Sequence, residues 1–216
     1  MTPRVILFDL DGTLTDSGEG ITKCVQLALS HYGIDIPDRA QLRCFVGPPL
    51  RETFPKFGIP ESEVEEAIRI FRSRYLTVGK FENFPYPGIP ELLQKLTKQG
   101  HRLFVATSKP ETTAIEILEK FQLAEYFERI CGAEMSSSRD TKEQVIAYLL
   151  KEAGDLGNAV MVGDTAFDVL GAAAFGIPTI GVSWGYGDVA EMQQAGAARI
   201  AASPEELRSL LEGFPG

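Results

Sequence analysis

The strongest constraint on the fold is an alternation that begins near residue 86 and runs almost to the end of the chain. A helical segment around Pro90 to Gln99 stops at Gly100, and an apolar strand follows through Leu103, Phe104 and Val105. A helix over Glu111 to Phe121 leads to a short strand near Ile130, and a helix over Thr141 to Ala153 leads to the strongly apolar strand Ala159 to Val162. A helix over Phe167 to Phe175 then precedes strand Thr179 to Val182. Short apolar runs separated by single helices pair in parallel, because each helix carries the chain back to the same end of the sheet. The pattern predicts an α/β fold, a doubly wound parallel sheet of the Rossmann-like class. The last helix carries its own start signal, with Ser203 as N-cap, Pro204 at the first helical position and Glu206 at the third.

One strand stands apart from this run. Arg4 to Leu10 reads as a short buried strand ending in an acidic, glycine-containing turn, and a purely helical stretch separates it from the alternation. There Ile21, Cys24, Val25, Ala28, Leu29 and Tyr32 recur at helical spacing, with Gly33 as the stop. A second helix carries Val64, Ala67, Ile68, Phe71 and Tyr75 on one face, and the turn-rich run Phe84 to Pro90 suits a stiff hinge. The expected division is residues 1–14 and 86–216 as the sheet core and 15–85 as a helical insert. Of the net charge of −9, almost all lies outside the insert. So acidic a chain has no general affinity for nucleic-acid backbones or anionic membranes. The longest fairly apolar stretch, Ala172 to Trp184, is broken by Gly176, Pro178 and Gly181 and falls short of the ~20 residues a membrane span requires. The apolar run Val5 to Phe8 is too short for a signal peptide, and Cys24, Cys44 and Cys131 are an odd, unclustered set. A cytoplasmic location is expected.

Ligands of open parallel sheets bind beyond the carboxyl ends of the strands. Those ends carry Asp9 and Asp11, then Thr107 and Ser108, then Asp164 and Asp168. Four carboxylates at one rim raise one another's pKa and are unstable as bare anions. A hard divalent cation resolves the repulsion, and Mg²⁺ suits an all-oxygen shell that keeps waters and accepts a phosphate. Aspartates after strands also cap helices and build turns, and for Asp168 the two readings stand level.

Phe8-Asp9-Leu10-Asp11-Gly12-Thr13 resembles the first motif of the haloacid dehalogenase-like hydrolase superfamily, in the form its phosphatases carry. Val105-Ala106-Thr107-Ser108-Lys109 resembles the second motif, Lys142 the third, and Met161-Val162-Gly163-Asp164 through Asp168 the fourth. The motifs occur in family order over nearly the whole chain. The insert is similar to the small helical cap of the phosphoglycolate phosphatase and β-phosphoglucomutase-like branch. Gly47-Pro48-Pro49-Leu50-Arg51-Glu52 and Trp184-Gly185-Tyr186-Gly187 resemble that branch more weakly.

The resemblance implies roles. Asp9 would attack phosphorus and form an aspartyl-phosphate. Asp11 would protonate the leaving oxygen and then deprotonate the attacking water, while its backbone carbonyl ligates Mg²⁺. Asp9 and Asp164 would be further metal ligands, with Asp168 acting directly or through a bound water. Thr107 and Ser108 would hold phosphoryl oxygens, and Lys142 would neutralise charge shared by nucleophile and phosphoryl group. Two departures weaken any transfer of substrate identity: Ser108 stands where many relatives have Asn, and Glu143 where many have Pro. Lys151 competes with Lys142, but lies farther along the same helix.

Other chemistries fail. Cys44 and Arg51 are one residue too far apart for a cysteine-dependent phosphatase loop, and there is no Gly-x4-Gly-Lys-Ser/Thr phosphate loop. His31 and His101 read as structural or exposed, Ser136-Ser137-Ser138 as a loop, and Trp184 and Tyr186 as packing or surface aromatics more readily than as substrate contacts. The expected activity is Mg²⁺-dependent hydrolysis of a small phosphorylated metabolite. Phosphoglycolate comes first, and 5′-nucleotides or pyrophosphate are close alternatives. Arg51, Arg43 or Lys56 is the candidate for a substrate carboxylate. A sugar-phosphate mutase keeps the same motifs, and a non-catalytic interaction protein is the remaining alternative. Nothing in the sequence sets the oligomeric state.

Overall fold

A computed structural model of the chain describes residues 4–134, 139–154 and 156–214. In chain order, β1 (Val5–Phe8) and β2 (Thr15–Asp16) are followed by helices α1 (Gly18–His31), α2 (Leu50–Thr53) and α3 (Val64–Tyr75). Then come β3 (Phe84–Pro85), α4 (Ile89–Lys98), β4 (Arg102–Pro110), α5 (Glu111–Lys120) and β5 (Arg129–Ala133). The chain continues through α6 (Lys142–Ala153), β6 (Ala159–Gly163), α7 (Ala166–Ala173), β7 (Thr179–Val182), α8 (Val189–Gln194), β8 (Arg199–Ala201) and α9 (Pro204–Gly213).

Six strands form one parallel sheet in the order β5-β4-β1-β6-β7-β8, the doubly wound α/β architecture that the alternation predicts. Strand β1 lies between β4 and β6, in register Phe8 to Val105 on one side and Phe8 to Val162 on the other. The winding reverses there, so the crevice at the strand ends opens where Asp9 follows Phe8. All four residues of β1 are buried, because the sheet is covered on both faces. Ile6 and Phe8 pack with Leu92, Leu93 and Leu96 of α4 and Leu207 and Leu211 of α9. Val5 and Leu7 point the other way, onto Val145, Ile146 and Leu149 of α6. Each such leucine or isoleucine contributes about 1.5–3 kcal/mol by leaving water.

Residues of α1, α3 and the chain between them build a separate apolar cluster, with Cys24, Val25, Leu29, Phe45, Phe54 and Phe71 among its buried members. Helix α1 ends where Gly33 predicts: Gly33 (φ +72°) donates to the Ser30 carbonyl and Ile34 to that of Leu29, which closes the last turn.

Several segments differ from the sequence expectation. The β1 ladder stops at Phe8 and does not reach Leu10, because the chain folds into a tight loop in which the Leu10 carbonyl accepts from Leu14 and Thr15. Strand β4 runs past Val105 to Pro110, with a register shift against β5 between Ala106 and Pro110. The run near Phe84 is not only a turn: Thr15 pairs with Pro85 and Asp16 with Phe84 in a two-stranded antiparallel ribbon. Helix α8 and strand β8 carry too few residues to show a period and were not expected. The Ser136-Ser137-Ser138 run lies outside the described residues.

Candidate active site

Each carboxylate at the rim is placed by the end of a strand or the first turn of a helix. Asp9 continues β1, its backbone N–H donating to the Val162 carbonyl of β6 at 2.9 Å. Asp164 follows β6 and is held from two sides: Oδ1 accepts from the Thr13 hydroxyl at 3.2 Å and Oδ2 from the Tyr186 backbone N–H at 2.8 Å. These approaches need glycine. A Cβ on Gly12 (φ +82°) would lie 2.1 Å from Asp164 Oδ2, and one on Gly185 would lie 2.3 Å from the same atom. Asp168 sits in the first turn of α7, where Oδ2 caps Thr165 through its N–H at 3.1 Å and its hydroxyl at 2.8 Å. The capping reading of Asp168 is met through Oδ2, which leaves Oδ1 towards the cluster. Its Oδ1 faces Lys142, the first residue of α6, itself set by Thr141 and Gln144 capping each other.

Lys142 Nζ lies 2.8 Å from Asp9 Oδ1 and 2.7 Å from Asp168 Oδ1, and donates to the Ala106 carbonyl of β4. Asp9, Asp164 and Asp168 are buried, and each offers a carboxylate oxygen within 4.8 Å of the others. At that distance two unit charges repel by about 3 kcal/mol at an effective dielectric constant of 20. Burial, then the neighbouring Asp168 and Asp9, push Asp164 up to about 8. Burial pushes Asp9 up to about 6, against the pull of Lys142. Burial works against the charge on Lys142, but Asp168 and Asp9 outweigh it and hold the ammonium above its ordinary range.

A second ion pair stands beside the first. Lys109 Nζ lies 2.7 Å from Asp11 Oδ2 and donates to the Tyr75 hydroxyl of α3 at 2.6 Å. Four carboxylates thus face two ammonium groups, and one divalent cation would close the deficit. The donor set is all oxygen, which fits Mg²⁺. Lys109 had no role in the sequence reading and Tyr75 only a core one. A signal existed: Lys109 follows Thr107 by two residues on a strand, so both point to one face.

A cavity of about 170 Å³ opens onto Asp9, Asp11, Thr107, Ser108 and Lys109, under a roof from the helical insert that includes Phe45, Leu50, Ile68, Phe71 and Leu76. Arg51 and Arg72 line it; Arg51 also pairs with Glu65. The Thr107 hydroxyl accepts from the Lys109 N–H. Arg43 lies instead on a separate cleft with Tyr86, Trp184 and Tyr186, while Lys56 and Lys151 are exposed and line neither cavity. Trp184 and Tyr186 brace the acidic loop: the Trp184 indole donates to the Thr13 carbonyl at 3.1 Å, and the Tyr186 hydroxyl accepts from Gly18 N–H and donates to Asp16. His101 is structural, its Nδ1 accepting from the Arg4 N–H, and His31 is exposed against Tyr32.

Known proteins resemble this chain in sequence and fold. The family model described as haloacid dehalogenase-like hydrolase matches residues 6–182. A 5′-nucleotidase of Pseudomonas aeruginosa is 44% identical over 96% of this chain and 95% of its own length. The tyrosine-protein kinase PtkA of Mycobacterium tuberculosis is 43% identical over 97% of this chain and 73% of its own. The crystal structure of a predicted phosphatase from Clostridium acetobutylicum superposes with a TM-score of 0.94 at 40% identity, covering 99% of this chain and all of the other. The chain belongs to the haloacid dehalogenase-like hydrolase family, as a phosphatase acting on phosphoric monoesters.

Proposed function

We propose that the protein hydrolyses small organic phosphomonoesters with Mg²⁺, in two displacements through an aspartyl-phosphate on Asp9. The observation that carries this reading is the buried cluster of Asp9, Asp164 and Asp168, with Lys142 between Asp9 and Asp168, open to a cavity on the Asp9 and Asp11 side. Lys142 engages Asp9 Oδ1, which leaves Oδ2 to attack phosphorus as the bond to the ester oxygen breaks. Asp11, entering the first step protonated on Oδ1, gives the departing oxygen that proton and regains one from the water that displaces phosphate from Asp9. Thr107 and Ser108 hold phosphoryl oxygens, and Lys142 offsets charge on the nucleophile. Asp9, Asp164 and the Asp11 carbonyl, with Asp168 directly or through water, would hold Mg²⁺, which would supply further neutralisation of the phosphoryl charge.

The aromatic and aliphatic roof bears on the leaving group. A nucleoside would offer that apolar surface a base to pack against, which two carbons and a carboxylate do not. This favours nucleoside 5′-monophosphates over the phosphoglycolate that the motifs suggest first. The insert acts as a cap that closes over the substrate and excludes water. The partner is a small phosphorylated metabolite, and the free thiols Cys24, Cys44 and Cys131 fit a reducing cytoplasm. Phosphate release from nucleoside monophosphates, phosphoglycolate, pyrophosphate and a sugar phosphate tests the reading. We expect Mg²⁺-dependent release, abolished by chelation and by Asp9→Asn, and fastest on a nucleotide. Release that survives Asp9→Asn, or phosphate retained in an isomerised sugar, would overturn it.

A further inference from the structure

We propose that Lys109 and Tyr75 are positioning residues for Asp11, and that the cap completes this support only when Tyr75 is seated as it is here. The inference rests on the reading of Asp11 as the proton-transfer group. Asp11, Lys109 and Tyr75 are all buried, at 7%, 8% and 5% exposure. Lys109 engages Oδ2 of Asp11. The other, Oδ1, is buried and has no hydrogen-bond partner among the described residues, while Asp11 itself lines the cavity. One oxygen is therefore anchored and the second is left for a leaving group or a water. A carboxylate fixed through one oxygen keeps the other in reach of the reacting atoms, and small errors in such a position are costly in rate.

The anchor is itself held across the interface between the cap and the sheet. Lys109 comes from β4, whereas Tyr75 ends α3 in the cap. The Lys109 ammonium donates to the Tyr75 hydroxyl and lies 4.8 Å from the centre of its ring. Tyr75 in turn stacks on Phe71, with ring centres 5.0 Å apart, and Phe71 lines the same cavity. A substrate that fills the cavity presses on the side chain that seats Tyr75. Movement of the cap away from the sheet would remove one of the two partners of Lys109, so Asp11 would lose its fixed orientation whenever the site is open to water. The arrangement ties the proton-transfer group to closure without any cap residue touching the reacting atoms.

Tyr75→Phe removes the hydroxyl and little else. The measurement is the single-turnover rate of phosphate transfer to the enzyme, by rapid quench, in wild type, Tyr75→Phe, Asp11→Asn and the double variant. Two substrates are compared: an alkyl phosphate, whose leaving group needs a proton, and p-nitrophenyl phosphate, whose leaving group does not. We expect Tyr75→Phe to slow the alkyl ester about fivefold or more, with substrate affinity within twofold and p-nitrophenyl phosphate nearly unaffected. In the Asp11→Asn background the same substitution should have no further effect. Lys109→Met should reproduce the pattern, and because Tyr75→Phe is isosteric the test does not depend on how well that variant folds. An equal loss on both substrates, or a loss that persists without the Asp11 carboxyl, would make Tyr75 a packing residue and overturn the proposal. No loss at all would overturn it as well. Failure of the underlying reading shows differently, as an Asp11→Asn variant that keeps the wild-type rate on the alkyl ester or loses equally on both substrates.

Discussion

At the residue scale, Asp164 is the most demanding placement in the molecule. It is 1% exposed, two glycines make room for it, and its pKa is raised to about 8. A carboxyl that binds its proton more tightly folded than unfolded costs stability as pH rises from about 4 towards 8. The metal-free protein should therefore melt at a lower temperature at pH 8 than at pH 5. Mg²⁺ should raise the melting temperature more at the higher pH, where it meets an ionised site; differential scanning fluorimetry at both values checks this. An equal Mg²⁺ shift at the two pH values would count against metal binding at Asp164. Gly12→Ala is expected to lower stability by several kcal/mol and to abolish Mg²⁺ protection, because its Cβ would collide with that carboxylate in a backbone conformation alanine avoids. Asp9, Asp11, Asp164 and Lys142 were legible because each stands in a short stretch at a strand end or helix start. The backbone of Tyr186 was not: its contact with Asp164 joins two loops, and a peptide N–H carries no residue-type signature.

At the element scale, the two ends of the helical insert are held together by more than the ribbon of β2 and β3. Glu82, just before β3, receives Lys23 of α1 at 2.7 Å and Arg74 of α3 at 2.7 Å. Hydrogen bonding from Arg74, and then from Lys23, holds its carboxyl down at about 2. The folded pKa lies below the unfolded one, so this stabilisation is present above about pH 4.5 and is lost as pH falls towards 2. Glu82→Gln should cost on the order of 1 kcal/mol at pH 7, given its contact with water, and much less at pH 2. Chemical denaturation at pH 7 and at the lowest pH where the protein stays folded measures the difference; a penalty that does not shrink on acidification would contradict it. The long elements were readable because their apolar spacing spans several turns, as in α3. The ribbon was not, since Thr15 and Pro85 lie at opposite ends of the insert and two-residue strands carry no period.

At the scale of the whole molecule, the order of the sheet decides where chemistry occurs. Placing β1 between β4 and β6 brings Asp9, Thr107 and Asp164 to one crevice, and α6 adds Lys142 from across the sheet. The alternation of strands and helices made that crevice predictable, whereas the helical insert's roof over it depended on packing that no local pattern records. The central claim is that Asp9 carries the phosphoryl group between substrate and water. It is tested most directly by quenching the enzyme during turnover with Mg²⁺ and substrate, reducing it with borohydride, and sequencing the peptides by mass spectrometry. An acyl-phosphate on Asp9 would be read out as homoserine at position 9 and at no other aspartate. Turnover with Asp9 unmodified, or with the mark at Asp11 or Asp164, would contradict the account.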